Sequence, residues 1–192
     1  MRAYPLTSEE LVDDLVSEVD QIAAAVRERF GALSREQLAW HPGPKHWGVG
    51  HCLVHIARTN ELYRATLADT LRTARSEGRT ATGPLVGRWF GRWFTRAMAP
   101  GGGIKVRTKD VLRPRYAAVQ EGALEMFLAE QVRFRSLVIE ARGLDLDSAR
   151  LVSPVSGLVR LSASDVLRAL VAHEWRHLAQ AERVLAEEGF PR

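Results

Sequence analysis

Apolar residues recur at helical spacing in four long stretches, and turn residues separate them. The first stretch runs from about Thr7 to Phe30, with Leu11, Leu15, Val19, Ile22, Val26 and Phe30 on one stripe. Thr7 followed by Glu10 forms a capping-box pattern at its start, and Gly31 provides a stop. A polar loop follows, in which Pro42 and Pro44 bar a helix. The second helix is expected from about His46 to Glu77, ending at Gly78. The third opens at Pro114, a favoured first position, and ends before Gly143; its stripe is Tyr116, Val119, Ala123, Met126, Glu130, Phe134 and Leu137. The fourth opens on Ser162 with Asp165, again a capping pattern, and ends at Gly189 with Pro191 beyond. Its stripe is Val166, Leu170, His173, His177 and Val184.

No strand pattern competes over a comparable length; only Leu158–Leu161 reads as extended, and it is short. Four amphipathic helices sharing a core imply an all-α four-helix bundle, read as one domain over residues 1–192. The segment 79–112 departs from this pattern. It holds a tandem repeat, Gly87-Arg-Trp-Phe then Gly91-Arg-Trp-Phe, followed by three glycines from Gly101. It reads as a long crossover insertion between the second and third helices, with a short helix over Leu85–Met98 and a glycine hinge. Connections this long are usually functional or disordered.

Composition adds boundaries. At 192 residues, 46% hydrophobic and 26% charged, the chain has the material for a folded core. It has no apolar run long enough for a membrane span and no signal-peptide pattern at its start, so a cytoplasmic location is expected. The lone Cys52 excludes an internal disulfide. The net charge of +4 is unevenly spread: between residues 79 and 115 nine Lys and Arg stand against Asp110 alone.

The histidines carry the chemistry. Four of the six form i,i+4 pairs, His51 with His55 and His173 with His177. At that spacing two imidazoles sit roughly 5–6 Å apart on one helical face and can share a metal ion. The second pair lies in line with Val166, Leu170 and Val184, on the face expected to be buried, where each ring needs partners for both nitrogens. The competing structural role is a buried pair bonded to carboxylates or water. A third ligand must come from elsewhere. His55 shares a face with Cys52, Thr59, Leu62 and Thr66, whereas His51 falls with Trp47 and Arg58 nearer an edge. If the second and fourth helices run parallel, His55 lies nine residues in from His46 and His173 eleven in from Ser162. At about 1.5 Å per residue that is a height difference of about 3 Å. His55 therefore completes the set better than His51. Cys52, one turn earlier, reads as a small hydrophobe.

His173-Glu-Trp-Arg-His177 is also a literal H-E-x-x-H, the zincin signature. The rest of that pattern is missing. The sixth residue after His177 is Arg183 instead of a histidine, Glu182, Glu187 and Glu188 lie on the same helix, and no upstream sheet is expected. Glu174 stays a candidate base or second partner of a ligand, against a solvated position or an ion pair with Arg176.

Two motifs resemble the DinB-like superfamily, which includes relatives of bacillithiol transferase and of mycothiol-dependent maleylpyruvate isomerase. One is Leu33-Ser-Arg-Glu-Gln-Leu-Ala-Trp-His-Pro-Gly-Pro-Lys-His-Trp-Gly-Val-Gly-His-Cys-Leu-Val-His55-Ile-Ala, with a tryptophan eight residues before His55. The other is Ser153-Pro-Val-Ser-Gly157-Leu, followed by His173-Glu-Trp-Arg-His177-Leu-Ala-Gln180. The likeness covers nearly the whole chain except the basic crossover. It implies a DinB/YfiT-like bundle and a metal triad at His55, His173 and His177. It further implies Gln180 as a residue orienting a ligand ring or water, and zinc or nickel as the metal.

Three histidines and an open position describe a catalytic metal site. Two reactions follow, each on a small-molecule substrate. In the first, a low-molecular-weight thiol is ionised at the metal and attacks an electrophile, its carboxylates held by Arg88, Arg92 and Lys105. In the second, an activated water hydrolyses a substrate with Glu174 or Glu130 as base; Glu130 alternatively pairs with Arg133 or Arg135. A non-enzymatic reading takes the Arg-Trp-Phe repeat as a docking segment, or as aromatics covering the open end of the bundle. A homodimer is expected as the commonest assembly, and nucleic acid and membrane are not expected as partners.

Overall fold

The computed structural model describes all residues except 45, 103–107 and 115, and except the side chains of 116–118, 120 and 121. Its helices are α1 Ser8–Phe30, α2 Arg35–Ala39, α3 Val49–Ser76, α4 Trp89–Met98, α5 Tyr116–Glu140 and α6 Ala163–Val184. A single 3-10 turn spans Asp110–Leu112, and the strands β1 Arg150–Val152 and β2 Arg160–Ser162 form a hairpin with Leu151 opposite Leu161. The fold is all-α, as expected. No helix among the described residues is long and apolar enough to cross a membrane.

The local signals hold well at α1. Thr7 accepts from the backbone N–H of Glu10, and the Glu10 carboxylate accepts from that of Thr7. All six stripe residues, Leu11 through Phe30, are at most 1% exposed. Burying each large side chain of that kind contributes about 1.5–3 kcal/mol. Three expectations need correction. The stretch after α1 is not wholly loop: Ser34 and Gln37 make a second capping box, and α2 is one turn too short to show an apolar period. Residues 150–162 form a hairpin, invisible to periodicity because each strand has three residues. The third long helix is broken at Gly122, whose φ of 136° lies outside helical space.

Contacts set the topology. Arg64 pairs with Glu130 and Arg75 reaches the Glu140 carbonyl, so α3 and α5 run parallel. Arg135 pairs with Asp20 and Arg142 with Asp13, so α1 opposes α5. Trp175 bonds Glu18, and Glu182 pairs with Arg29, so α1 and α6 run parallel. By elimination α3 and α6 are antiparallel, which overturns the parallel arrangement assumed for the depth comparison. The physical reason is the crossover: two parallel neighbours, α3 and α5, need a long connection, and residues 77–115 supply it.

That crossover is pinned to the bundle. Leu6 and Leu85 exchange backbone hydrogen bonds at 3.0 and 2.7 Å. The Asp147 carboxylate accepts from the N–H groups of Val86 and Gly87. The short helix expected over Leu85–Met98 begins later, at Trp89, because Leu85 is spent on that bridge. The repeat's two glycines have separate reasons. Gly87 has φ of 59°, and a Cβ there would meet the Tyr4 ring. Gly91 faces α6, and a Cβ on it would stand 1.9 Å from the Asp165 carboxyl carbon. Glycine at 91 thus lets α4 lie against α6, with Phe90 and Phe94 packed on the core.

Candidate metal centre

The site forms where the first turns of α3 face the second half of α6. Close packing starts α3 at this place: a Cβ on Gly48 would lie 1.7 Å from the Trp40 carbonyl oxygen, and one on Gly50 would lie 2.6 Å from that of Leu38. These two glycines let α3 begin directly under α2. Trp47, just before them, covers the rings of His55 and His177 at centroid distances of 4.8 and 5.7 Å. In the antiparallel register, His55 follows Val49 by six residues and His177 precedes Val184 by seven, so the two meet at one height.

His55, His173 and His177 each offer a ring nitrogen, and these atoms lie within 4.8 Å of one another. The Nε2 atoms of His55 and His173 are 3.2 Å apart. Two nitrogens bound tetrahedrally at about 2.0–2.1 Å from one zinc ion stand roughly 3.3–3.4 Å apart, so the spacing suits a shared ion. The outer nitrogens fix the tautomers. His55 Nδ1 donates to the Leu112 carbonyl at 2.9 Å, and His177 Nδ1 pairs with Gln180 Oε1 at 3.0 Å. A carbonyl only accepts, so Nδ1 of His55 carries the hydrogen and its Nε2 presents a lone pair inward. His173 Nδ1 is buried and has no hydrogen-bond partner among the described residues. Converging lone pairs are satisfied by a cation, and the set fits one divalent metal ion.

Electrostatics agree with that fit. Burial, then the neighbouring His55, holds His177 down to about 3, with Arg176 adding to the depression and Gln180 opposing it. Burial holds His173 well below its usual value and lowers His55. All three rings are therefore neutral near pH 7, the form that ligates.

Other expected residues fall in different places. Gln180 stands beside His177, its Oε1 3.0 Å from the ring's Nδ1. Glu174 turns away from the triad. It is 0% exposed, and its carboxylate accepts from Asn60 Nδ2 at 2.8 Å and Gln131 Nε2 at 2.6 Å. Burial pushes it up to about 7. It is neither solvated nor paired with Arg176, because consecutive helical residues face different neighbours and its face points between α3 and α5. Glu130 is buried too and held by Arg64 at 2.7 Å, with Arg133 at 3.5 Å; the Arg64 partner was not legible from α5 alone. His51 packs edge-on against His41 and accepts from the Gly48 N–H, outside the triad. Cys52 is fully buried, and burial pushes its thiol up to about 12. Arg88, at the N-cap of α4, and Arg92 on it are exposed and do not line the cavity described next, since Phe90 and Phe94 take the inner face while Trp89 and Trp93 are exposed as well. Lys105 lies outside the described residues.

The triad opens on a cavity of about 640 Å³. The whole predicted α6 stripe, Val166, Leu170, His173, His177 and Val184, lines it. Across from it stand Thr59 and Tyr63, one and two turns after His55, and Ser153, whose Oγ meets Tyr63 Oη at 2.7 Å. Phe94 and Met98 of α4 close one side, and Lys109, Arg176 and Arg183 bring positive charge. Sequence reasoning missed Tyr63, Ser153 and these three cations. The spacing 55, 59, 63 held a signal for Tyr63; no sequence signal ties the crossover's Lys109 to α6.

Neither a comparison with curated proteins nor one with solved structures finds a match. The family model described as DinB superfamily matches residues 18–181, a span that includes all three histidines, so the chain belongs to the DinB superfamily.

Proposed function

We propose that the protein is a metal-dependent enzyme that transfers a low-molecular-weight thiol to an electrophilic small molecule. Zinc or nickel is the expected ion, held by His55, His173 and His177. The observation that carries this reading is the convergence of three neutral imidazoles, two with their outer nitrogens fixed, on one wall of a cavity of small-molecule size. A divalent ion there supplies Lewis acidity that ionises a thiol near neutral pH. The chain's own residues do the rest. Leu112 and Gln180 hold two ligand rings in place, Trp47 shields them, and the apolar wall excludes water from the reacting sulfur.

Hydrolysis is the weaker reading. It needs a base, and both candidate carboxylates are committed elsewhere, Glu174 to Asn60 and Gln131 and Glu130 to Arg64. Among the described residues lining the cavity, Glu187 is the only carboxylate.

Protein purified without a histidine tag is expected to hold roughly one divalent ion per chain by elemental analysis, and the His173→Ala variant far less. Turnover of 1-chloro-2,4-dinitrobenzene is the second readout: the thiol sulfur bonds to the ring carbon, chloride leaves, and the thiol proton passes to solvent. It should require both thiol and metal and vanish in His177→Ala. Unchanged turnover in that variant would sink the reading.

A further inference from the structure

The wall of the cavity carries more positive charge than a metal-binding role explains. Among its described residues are Lys109, Arg176 and Arg183 against Glu187 alone, and the three histidines are neutral. The cations come from separate parts of the chain. Lys109 lies on the crossover, three residues before the Leu112 carbonyl that holds His55. Arg176 and Arg183 lie on α6, on both sides of His177. Arg176 sits deepest: its Nη1 donates to the Ala97 carbonyl at 2.9 Å, which fixes the guanidinium between α4 and the histidines. The remaining wall is mainly apolar and includes Trp47, Phe94, Met98 and Leu170.

Taking this cavity as the substrate pocket of the proposed enzyme, we propose that it selects amphipathic organic anions. An apolar or aromatic body lies against Trp47, Phe94 and Leu170, and a carboxylate or sulfonate reaches Lys109, Arg176 and Arg183. Charge and burial decide between ligand classes. A neutral apolar ligand would strip water from Lys109 and Arg183 and give them no partner in return, which costs free energy. A small hydrophilic anion would leave the apolar wall wet. A ligand with both parts satisfies both, and guanidinium groups take planar anions through paired N–H bonds. At Arg176, the partly buried one of the three, that attraction is stronger than in open water. The volume of about 640 Å³ lies in the range of small-molecule pockets.

The test compares two fluorescent probes that differ in one group: 1-anilinonaphthalene-8-sulfonate and N-phenyl-1-naphthylamine, the same body without the sulfonate. Both are titrated into the protein as purified, at low salt, with its metal content measured on the same sample. The sulfonate should bind at least about tenfold more tightly than the neutral probe, a difference of about 1.4 kcal/mol. In the Arg176→Gln/Arg183→Gln double variant the two affinities should come within about threefold, with the sulfonate bound more weakly and the neutral probe bound no more weakly than before. Should that variant fail to fold, Lys109→Gln and Arg183→Gln serve instead. Both residues are exposed, and each substitution should cost the sulfonate about threefold. Equal binding of the two probes by the native protein, or an undiminished sulfonate preference in the variants, overturns the inference. Metal content separates the two ideas. A metal-loaded protein that ignores the sulfonate refutes anion selection alone. A metal-free protein that prefers the sulfonate refutes the metal centre alone.

Discussion

At the scale of single residues, the site depends on which atom each side chain offers. Gln180 fixes one ring by accepting from His177 Nδ1, and loss of such an outer partner typically weakens metal binding 10–100-fold. Gln180→Ala should show that loss in competition with a chromophoric chelator, while Gln180→Glu, which keeps the acceptor, should not. An unchanged affinity in Gln180→Ala would assign the glutamine no part in orienting the ring. His51 gives a pH prediction away from the triad. Burial, then the nearby His41, lowers it below the usual 6.5, and it accepts from the Gly48 N–H only when neutral. Its contribution to stability is therefore complete above pH 6.5 and is lost as pH falls below that value, where the unfolded chain takes up the proton first. His51→Gln should flatten the slope of unfolding free energy just below pH 6.5, by up to about 1.4 kcal/mol per pH unit. Chemical denaturation at several pH values measures it, and parallel slopes would refute it.

At the scale of elements, α4 is the part most open to test. It lies on α6 because Gly91 brings its backbone against Asp165, and it closes the cavity with Phe94 and Met98. Gly91→Ala forces a methyl group into the Asp165 carboxylate and should cost about 1–3 kcal/mol. The displaced helix should become a site of limited proteolysis between residues 79 and 112, while the far-ultraviolet spectrum of the four long helices stays near native. A native digestion pattern would show that α4 has room to spare. Local signals served the elements unevenly. The capping box at Thr7, the N-cap at Ser162 and the apolar stripe of α1 were legible because they repeat or pair within one stretch of chain, although Ser162 lacks the reciprocal bond of a full box. The hairpin and α2 were not read, because three to five residues are too few to establish a period, although the Ser34–Gln37 cap was there to be used.

At the scale of the whole molecule, a metal ion held by the triad would link helices that are far apart in sequence. His55 belongs to α3, while His173 and His177 belong to α6, so an ion bound to all three stabilises the folded chain over the unfolded one. With free metal at 100 times its dissociation constant the gain is about 2.7 kcal/mol. Chelation should therefore lower the thermal midpoint of the native protein and leave that of His173→Ala unmoved. Equal shifts in both, or none in either, would mean that the triad does not carry the linkage.

The sequence by itself determined the all-α class, the four long helices, and the i,i+4 pair on an inward stripe, because each is a periodicity within one segment. With the family resemblance it also named the triad, although the parallel arrangement used to choose His55 by depth was wrong. The tertiary structure decided what periodicity cannot reach. It set α3 antiparallel to α6, buried Glu174 between Asn60 and Gln131, kept Arg88 and Arg92 out of the cavity, and brought Lys109, Arg176 and Arg183 into its wall. The reason is that a side chain's own helix fixes only its direction from the axis. Whether that direction meets a metal, an amide or open water depends on the neighbouring helix, and the crossover chooses that neighbour.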